Sequence, residues 1–176
     1  MSNDGVVRSS KKIVRVTPTL STDAYAQRDV FFTATEIPNA VIGKGGCSRL
    51  ANMFILDQSD IADTDLIFVF SEGNTALGTL NATADISDAN LEGLGIIGMA
   101  FYNGSESDTE IAIDNARIAQ CVMGPPNAET SYPFNGGMFL QAASDSTSVY
   151  VQAILRSATT PTYAADDLDL IFHIER

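Results

Sequence analysis

The single histidine of the chain, His173, limits the nucleophilic catalysis that the sequence can support. A serine or cysteine triad needs an imidazole as its general base, and this is the only one among 176 residues. His173 lies on the polar side of an alternating segment, and no G-x-S-x-G turn is present to hold a nucleophilic serine. The sequence therefore predicts a surface histidine and no serine or cysteine triad.

Four carboxylates lie within the nine residues from Asp57 to Asp65. Loop oxygens at this density can bind calcium, but the glycine and the closing glutamate of an EF-hand loop are missing. A solvated turn is the favoured interpretation, calcium binding stays open, and no metal or other cofactor is predicted. Whether two acids face each other in a cleft, as in a glycosidase, depends on geometry that the sequence does not give.

The two cysteines, Cys47 and Cys121, are too few for a disulfide framework, and neither lies in a C-x-x-C pair. Zinc and redox sites are therefore not indicated. We expect two reduced thiols in the core, and a bridge between them stays open.

The segment Gly43-Lys44-Gly45-Gly46 matches the G-x-x-G loop with which KH domains bind nucleic-acid backbone. A KH loop joins two helices on a basic face, whereas here β-like segments lie on both sides and the net charge is −12. A tight β-turn is the better interpretation, and the strongly acidic chain predicts no nucleic-acid partner.

Positive charge is concentrated at the N-terminus. The first fifteen residues contain Arg8, Lys11, Lys12 and Arg15 against Asp4 alone, which gives this segment a net charge of +3. Since the whole chain has a net charge of −12, the remaining residues carry a net charge of −15. A basic terminal segment on an acidic body is expected to lie on an acidic surface of this body, of a sister copy or of another protein. We define residues 1–19 as a basic N-terminal arm.

Within the arm, Lys11–Thr17 alternates in the manner of a strand and stops at Pro18. Two interpretations stay open. The segment adds as a strand to the exposed edge of a neighbouring protein, or it is the first strand of its own sheet.

Period-two alternation and closely spaced turn signals dominate the remaining sequence, and no long helical period appears. The pattern predicts nine strands: Lys11–Thr17, Val30–Ile37, Ser48–Leu56, Asp65–Phe70, Gly95–Phe101, Ile111–Val122 (continuous or broken), Met138–Ala142, Ser148–Arg156 and Leu168–Ile174. Long connections at 73–94 and 123–137 favour an all-β, antiparallel β-sandwich of jelly-roll type over residues 20–176, with the extended arm before it. An immunoglobulin-like sandwich ranks second, because the chain has no Trp.

Three elements carry more detailed predictions. In the last strand Leu168, Leu170, Phe172 and Ile174 are expected to face the core, and Asp167, Asp169, His173 and Glu175 the solvent. The segment 66–70 is apolar on both faces, which predicts a central strand covered by the opposing sheet and by a loop or a neighbouring subunit. Between Asp85 and Leu94, a short capped helical turn is expected to cross between the sheets.

No apolar run approaches the roughly 18 residues of a membrane span, and the first residues lack the order of a signal peptide. The sequence predicts a protein that is made in the cytoplasm and has no membrane partner.

Several short segments occur in a distinctive order. They are Ala24-Tyr25-Ala26 followed by Asp29-Val30, the Gly45-Gly46 turn, Ser87-Asp88-Ala89-Asn90-Leu91 ahead of Ile96-Ile97-Gly98, and Pro161-Thr162-Tyr163 before Asp167-Leu168-Asp169-Leu170. Over about residues 20–175 this order resembles the small jelly-roll head decoration, or cement, proteins of tailed bacteriophages, including marine and cyanobacterial phages.

The resemblance implies a noncatalytic virion protein that binds the outer surface of an assembled capsid, often as a homotrimer, and bridges adjacent subunits of the major capsid protein. This chain differs in its longer basic arm, whose residues are the candidate capsid- or subunit-binding positions: Arg8, Lys11, Lys12, Ile13, Val14, Arg15 and Val16. The alternative is a carbohydrate- or receptor-binding jelly roll of a phage fibre or tail appendage, with Tyr102, Tyr132 and Tyr163 as stacking surfaces.

Overall fold

The structure, a computed structural model, describes residues 10–104, 110–123 and 137–176. Over these residues the regular secondary structure is almost all strand, with one short helix, α1, at Asp88–Gly93. The strands are β1 Lys11–Val16, β2 Val30–Ile37, β3 Cys47–Asp57, β4 Asp65–Ser71, β5 Ile96–Asn103, β6 Glu110–Ile113, β7 Ala116–Gln120, β8 Val122–Met123, β9 Met138–Gln141, β10 Val149–Leu155 and β11 Leu168–Glu175.

The strands form two sheets. The first has the order β1-β11-β3-β7-β6, with β9 also paired to β3, and the second has the order β2-β10-β4-β5-β8. All pairs are antiparallel, and four of them are nested along the chain: β1 with β11, β2 with β10, β3 with β7 and β4 with β5. This nesting is the jelly-roll arrangement, so the predicted fold class is confirmed and the immunoglobulin-like alternative is wrong.

The inward side chains of both sheets form the main core. Leu168, Leu170, Phe172 and Ile174 of β11 are buried, as the alternation predicted. Phe172 meets Phe70 of β4 across the sandwich, with ring centroids 6.1 Å apart and planes near perpendicular. Each such apolar side chain contributes about 1.5–3 kcal/mol through its burial.

Strand β4 lies at the centre of the second sheet, as its two apolar faces predicted. Its outer face is covered by the connection at 72–95, where Leu77 and Leu94 pack with Val69. Gln152 holds this connection, because its Oε1 accepts from the Leu77 N–H at 2.9 Å and its Nε2 donates to the Thr75 carbonyl at 3.0 Å. A loop of the same chain supplies the cover, so β4 gives no argument for an oligomer.

Helix α1 forms within the same connection. Ser87 caps it by accepting from the Asn90 N–H, which confirms the predicted capped turn. The predicted crossing between sheets is wrong, because β4 and β5 are neighbours in one sheet. The connection instead folds over that sheet and returns, which is how its apolar side chains become buried.

The predicted strand Ile111–Val122 is three strands, β6, β7 and β8. The chain reverses at Asp114-Asn115, where Asp114 has a φ of 43°. Aspartate and asparagine tolerate this left-handed conformation, so a two-residue hairpin turn is possible without glycine. The other long connection, 124–136, lies outside the described residues.

Residues 11–16 of the arm are the edge strand of the first sheet. Every residue of β1 has a partner on β11, from Lys11 opposite Glu175 to Val16 opposite Leu170. The interpretation of a strand in its own sheet is therefore the one observed, and the predicted boundary after residue 19 does not mark the start of the sandwich. Residues 1–9 lie outside the described part of the chain.

Candidate docking face

The solvent side of the first sheet carries a band of apolar side chains that sequence reasoning did not single out as a surface. We call this set the docking face. Its apolar members are Ile13, Phe54, Leu56, Ile111, Ile113, Ile118, Phe139 and Ile171.

Strand register places much of this band side by side. Leu56 on β3 is opposite Ile118 on β7, and Ile118 is opposite Ile111 on β6. Phe54 is likewise opposite Ile171 of β11. Side chains directly opposite on one face of an antiparallel pair are in contact range. These five side chains therefore form a contiguous apolar centre of the docking face, while Ile13 and Phe139 lie among polar neighbours nearer its border.

Four apolar side chains of the docking face are at least half exposed to solvent. Phe139 is 80% exposed, Ile13 and Ile111 are each 66% exposed, and Ile113 is 50% exposed. Single exposed apolar residues are common on proteins, whereas a contiguous patch is typical of an interaction surface.

A polar row borders the docking face. Glu175 Oε2 pairs with Arg49 Nη1 at 3.3 Å, and Glu175 Oε1 is 3.9 Å from Lys11 Nζ. Lys11, Glu175 and Arg49 lie on three adjacent strands, and Phe139 is opposite Arg49 on the next. An apolar centre with a polar rim is the usual anatomy of a protein interface.

Arg15 and Asp169 hold β1 against β11. Arg15 Nη2 donates to Asp169 Oδ2, and Thr17 Oγ1 donates to the other carboxylate oxygen. These hydrogen bonds, with the positive charge of Arg15, lower the pKa of Asp169. The basic segment therefore lies on an acidic surface of its own body, one of the three possibilities that its charge predicted.

The candidate arm residues divide between the two faces of β1. Val14 is buried in the core and Val16 packs against it, so neither is available to a partner. Lys12 Nζ donates to the carbonyl of Pro38 at 3.0 Å. Lys11, Ile13 and Arg15 face solvent and remain candidate binding residues, whereas Arg8 lies outside the described residues.

The acidic run does not converge on a common point. Asp57 is buried, and its Oδ2 accepts from the Tyr163 hydroxyl at 3.0 Å, while Asp60 pairs with Arg117 at 2.8 Å. Burial raises the pKa of Asp57. Among residues 10–104, 110–123 and 137–176, no group of three or more histidine, cysteine or acidic side chains could hold a metal ion.

His173 takes the outward position predicted for it, and its ring lies 5.2 Å from that of Phe54 on the docking face. The prediction for the thiols is half correct. Cys121 is buried and Cys47 is exposed, and both are free. Cys47 begins β3 with its side chain outward, because the next residue, Ser48, takes the inward position.

The glycine segment before β3 is a tight turn, as predicted. Gly43 and Gly45 have φ values of 75° and 66°, and the Gly46 N–H donates to the Gly43 carbonyl at 3.1 Å. A side chain at Gly46 would place its Cβ 2.2 Å from the Ile42 carbonyl oxygen, so only glycine fits.

The tyrosines expected to stack on sugars do not form a surface. Tyr102 and Tyr163 are both buried, and the Tyr163 ring packs edge-on against Phe31 with centroids 5.1 Å apart. The predicted stacking role is wrong for these two residues, and Tyr132 lies outside the described residues.

Comparison with known proteins found no family model and no curated protein that matches the chain. In the described part of the chain, no helix is both long enough and apolar enough to span a membrane.

Proposed function

We propose that this chain is a noncatalytic virion protein that binds the outside of an assembled phage head and bridges subunits of the major capsid protein. The observation that supports the proposal most strongly is the docking face, whose apolar centre is contiguous across β11, β3, β7 and β6. The resemblance to phage decoration proteins supplies the identity of the partner.

The size of the docking face fits attachment through several copies. Four gaps separate β1 from β6, which at about 4.8 Å per gap gives a width of about 19 Å, and eight residues of strand add about 26 Å of length. Because β7 and β6 have only five and four residues, the area is at most about 500 Å² per partner, or about 1,000 Å² in total, which is below the usual range of specific interfaces. A homotrimer on adjacent capsid subunits would gain affinity from simultaneous contacts.

Binding that requires the assembled shell explains how such a protein could work without an active site. A ligand that binds one state of a target and not another stabilises the bound state by mass action. A docking face that contacts two capsid subunits at once would bind the assembled lattice better than a free subunit, and would therefore oppose disassembly.

Two isoleucines of nearly equal exposure make a matched test. Ile113 on β6 belongs to the docking face and is 50% exposed, while Ile96 on β5 of the second sheet is 51% exposed. We expect Ile113→Ser to weaken co-sedimentation with purified phage heads about tenfold, because apolar burial at the interface is lost. Ile96→Ser should bind like the unmodified protein.

Equal binding by both variants would contradict a role for the docking face. Binding of the isolated protein to a glycan array, with no binding to heads, would support the fibre or tail alternative and overturn the proposal.

Two N-terminal deletions distinguish the role of residues 1–9 from that of the edge strand β1. Removing residues 1–17 would also remove β1, whose Val14 belongs to the core. Removing residues 1–9 leaves β1 in place and tests only the part of the arm that precedes β1. We expect the shorter deletion to keep the sandwich, as judged by far-UV circular dichroism, and reduced head binding would assign a further contact to residues 1–9.

A further inference from the structure

Among residues 10–104, 110–123 and 137–176, strand β1 ends the first sheet, and the ladder shows which of its backbone groups point away from β11. Ser10 and Arg176 exchange two backbone hydrogen bonds, of 3.0 and 2.8 Å. In an antiparallel ladder such hydrogen-bonded pairs alternate with pairs that exchange none. The N–H and C=O groups of Lys11, Ile13 and Arg15 therefore point to the free edge of β1.

The same three residues direct their side chains to solvent. Ile13 lies between two cations, and Lys11 and Arg15 are each two residues away on the same face. Backbone donors and acceptors, an exposed apolar side chain and two positive charges are thus presented by one short segment. The acids that contact these cations, Glu175 and Asp169, lie one strand further into the sheet.

We infer that the free edge of β1 accepts an extended acidic segment of a partner protein as an added antiparallel strand. Acidic residues would lie opposite Lys11 and Arg15, and an apolar residue opposite Ile13. Backbone pairing would supply affinity, and the charges would select the partner. The inference rests on the proposed function only in taking that partner to be a capsid protein.

The β1 strand of a second copy is the wrong occupant, because it carries cations only. Antiparallel pairing centred on Ile13 places Lys11 of each copy opposite Arg15 of the other. Shifting the register by two residues places a cation opposite Ile13, and parallel pairing aligns identical cations. No register forms an opposite-charge pair, and like charges directly opposite destabilise a strand pair. Charged edges of this kind oppose self-association.

A designed peptide tests the inference. The probe has nine residues, with glutamate at positions three and seven, valine at position five and threonine elsewhere. The control probe has lysine in place of both glutamates. We expect the glutamate peptide to bind about tenfold more tightly by fluorescence anisotropy, to weaken as salt is raised, and to slow amide exchange over residues 11–15.

Variants at the edge locate the bound strand. The Ile13 N–H points away from β11, so Ile13→Pro keeps the pairing within the sheet and removes a donor from the free edge. We expect this variant to lose the glutamate peptide. Ile96→Ser is the control, because Ile96 is an exposed isoleucine on the second sheet, outside both β1 and the docking face, and it should bind the peptide normally.

Lys11→Glu provides a second test that does not depend on proline. It should weaken binding of the glutamate peptide and strengthen binding of the lysine peptide. Equal affinity for both peptides, or undiminished peptide binding by Ile13→Pro, would overturn the inference. If Ile13→Pro loses the peptide but still binds heads, the edge has no role on the head, while the proposed function stands through the docking face.

Discussion

Replacing Asp169 by asparagine should loosen β1, the strand that carries one end of the docking face. The Asp169 carboxylate is buried and accepts from Arg15, from Thr17 and, at 3.3 Å, from Gln58 Nε2. The amide group of asparagine has no charge and turns one of two acceptors into a donor that faces other donors.

The size of the effect follows from these contacts. A hydrogen bond to a charged group contributes about 1.5–3 kcal/mol. Arg15 is half exposed and regains water when its partner is lost, so we expect Asp169→Asn to reduce the free energy of unfolding by about 2–3 kcal/mol. With a urea dependence of about 2 kcal/mol per M, the unfolding midpoint should fall by about 1–1.5 M.

Three comparisons make the prediction specific. Asp166→Asn, on the exposed loop before β11, should change stability by less than about 0.5 kcal/mol. The effects of Asp169→Asn and Arg15→Met should be less than additive in the double variant, because each breaks the same contact. In Asp169→Asn, amide exchange should accelerate at Lys12 and Val14, which bond to β11.

Acid should remove the difference between Asp169→Asn and the unmodified protein. The pKa of Asp169 is lowered in the folded state, so its stabilising contribution is present above the ordinary value of 3.8 and is lost as the pH falls through the folded value. Equal urea midpoints for the two proteins at neutral pH, or a difference that persists at the lowest pH, would refute the reasoning.

Other predictions concern the connection over the second sheet, the thiols and the buried acid. Gln152→Leu should cost about 1–3 kcal/mol and speed proteolysis within residues 72–95. A thiol reagent should modify Cys47 in the native protein, while Cys121 reacts only after unfolding, because burial also raises its pKa. Tyr163→Phe should lower the unfolding midpoint by removing a donor to Asp57. Because burial raises the pKa of Asp57 in the folded state, the free energy of unfolding should fall as the pH rises from 3.8 through the folded value. Asp57→Asn should flatten this pH dependence.

The strands could be predicted from the sequence because alternation and burial agree along most of them. In β11 each apolar residue at an even position is buried against the opposite sheet. The segment at β4 is apolar on both faces, and this pattern correctly predicted a central strand of a sheet. The sequence left open whether Ile111–Val122 is broken but does not locate the turn between β6 and β7, because Asp114-Asn115 lacks the glycine that usually marks a hairpin.

The docking face was harder to predict, because it depends on which strands become neighbours. Ile111 and Ile118 lie seven residues apart, and only the hairpin places them opposite each other. The burial of Asp169 could not be predicted from the sequence either. Alternation correctly placed it on the outer face, but its burial comes from Arg15 and Thr17, more than 150 residues earlier in the chain.

The most direct measurement of the central claim is electron microscopy of phage heads carrying the protein, at a resolution that shows individual strands. The account predicts density on the outer capsid surface, with the first sheet turned towards the shell and Ile113 and Phe139 at the contact. Density on the tail, or attachment to the head through the second sheet with the first sheet facing solvent, would contradict it.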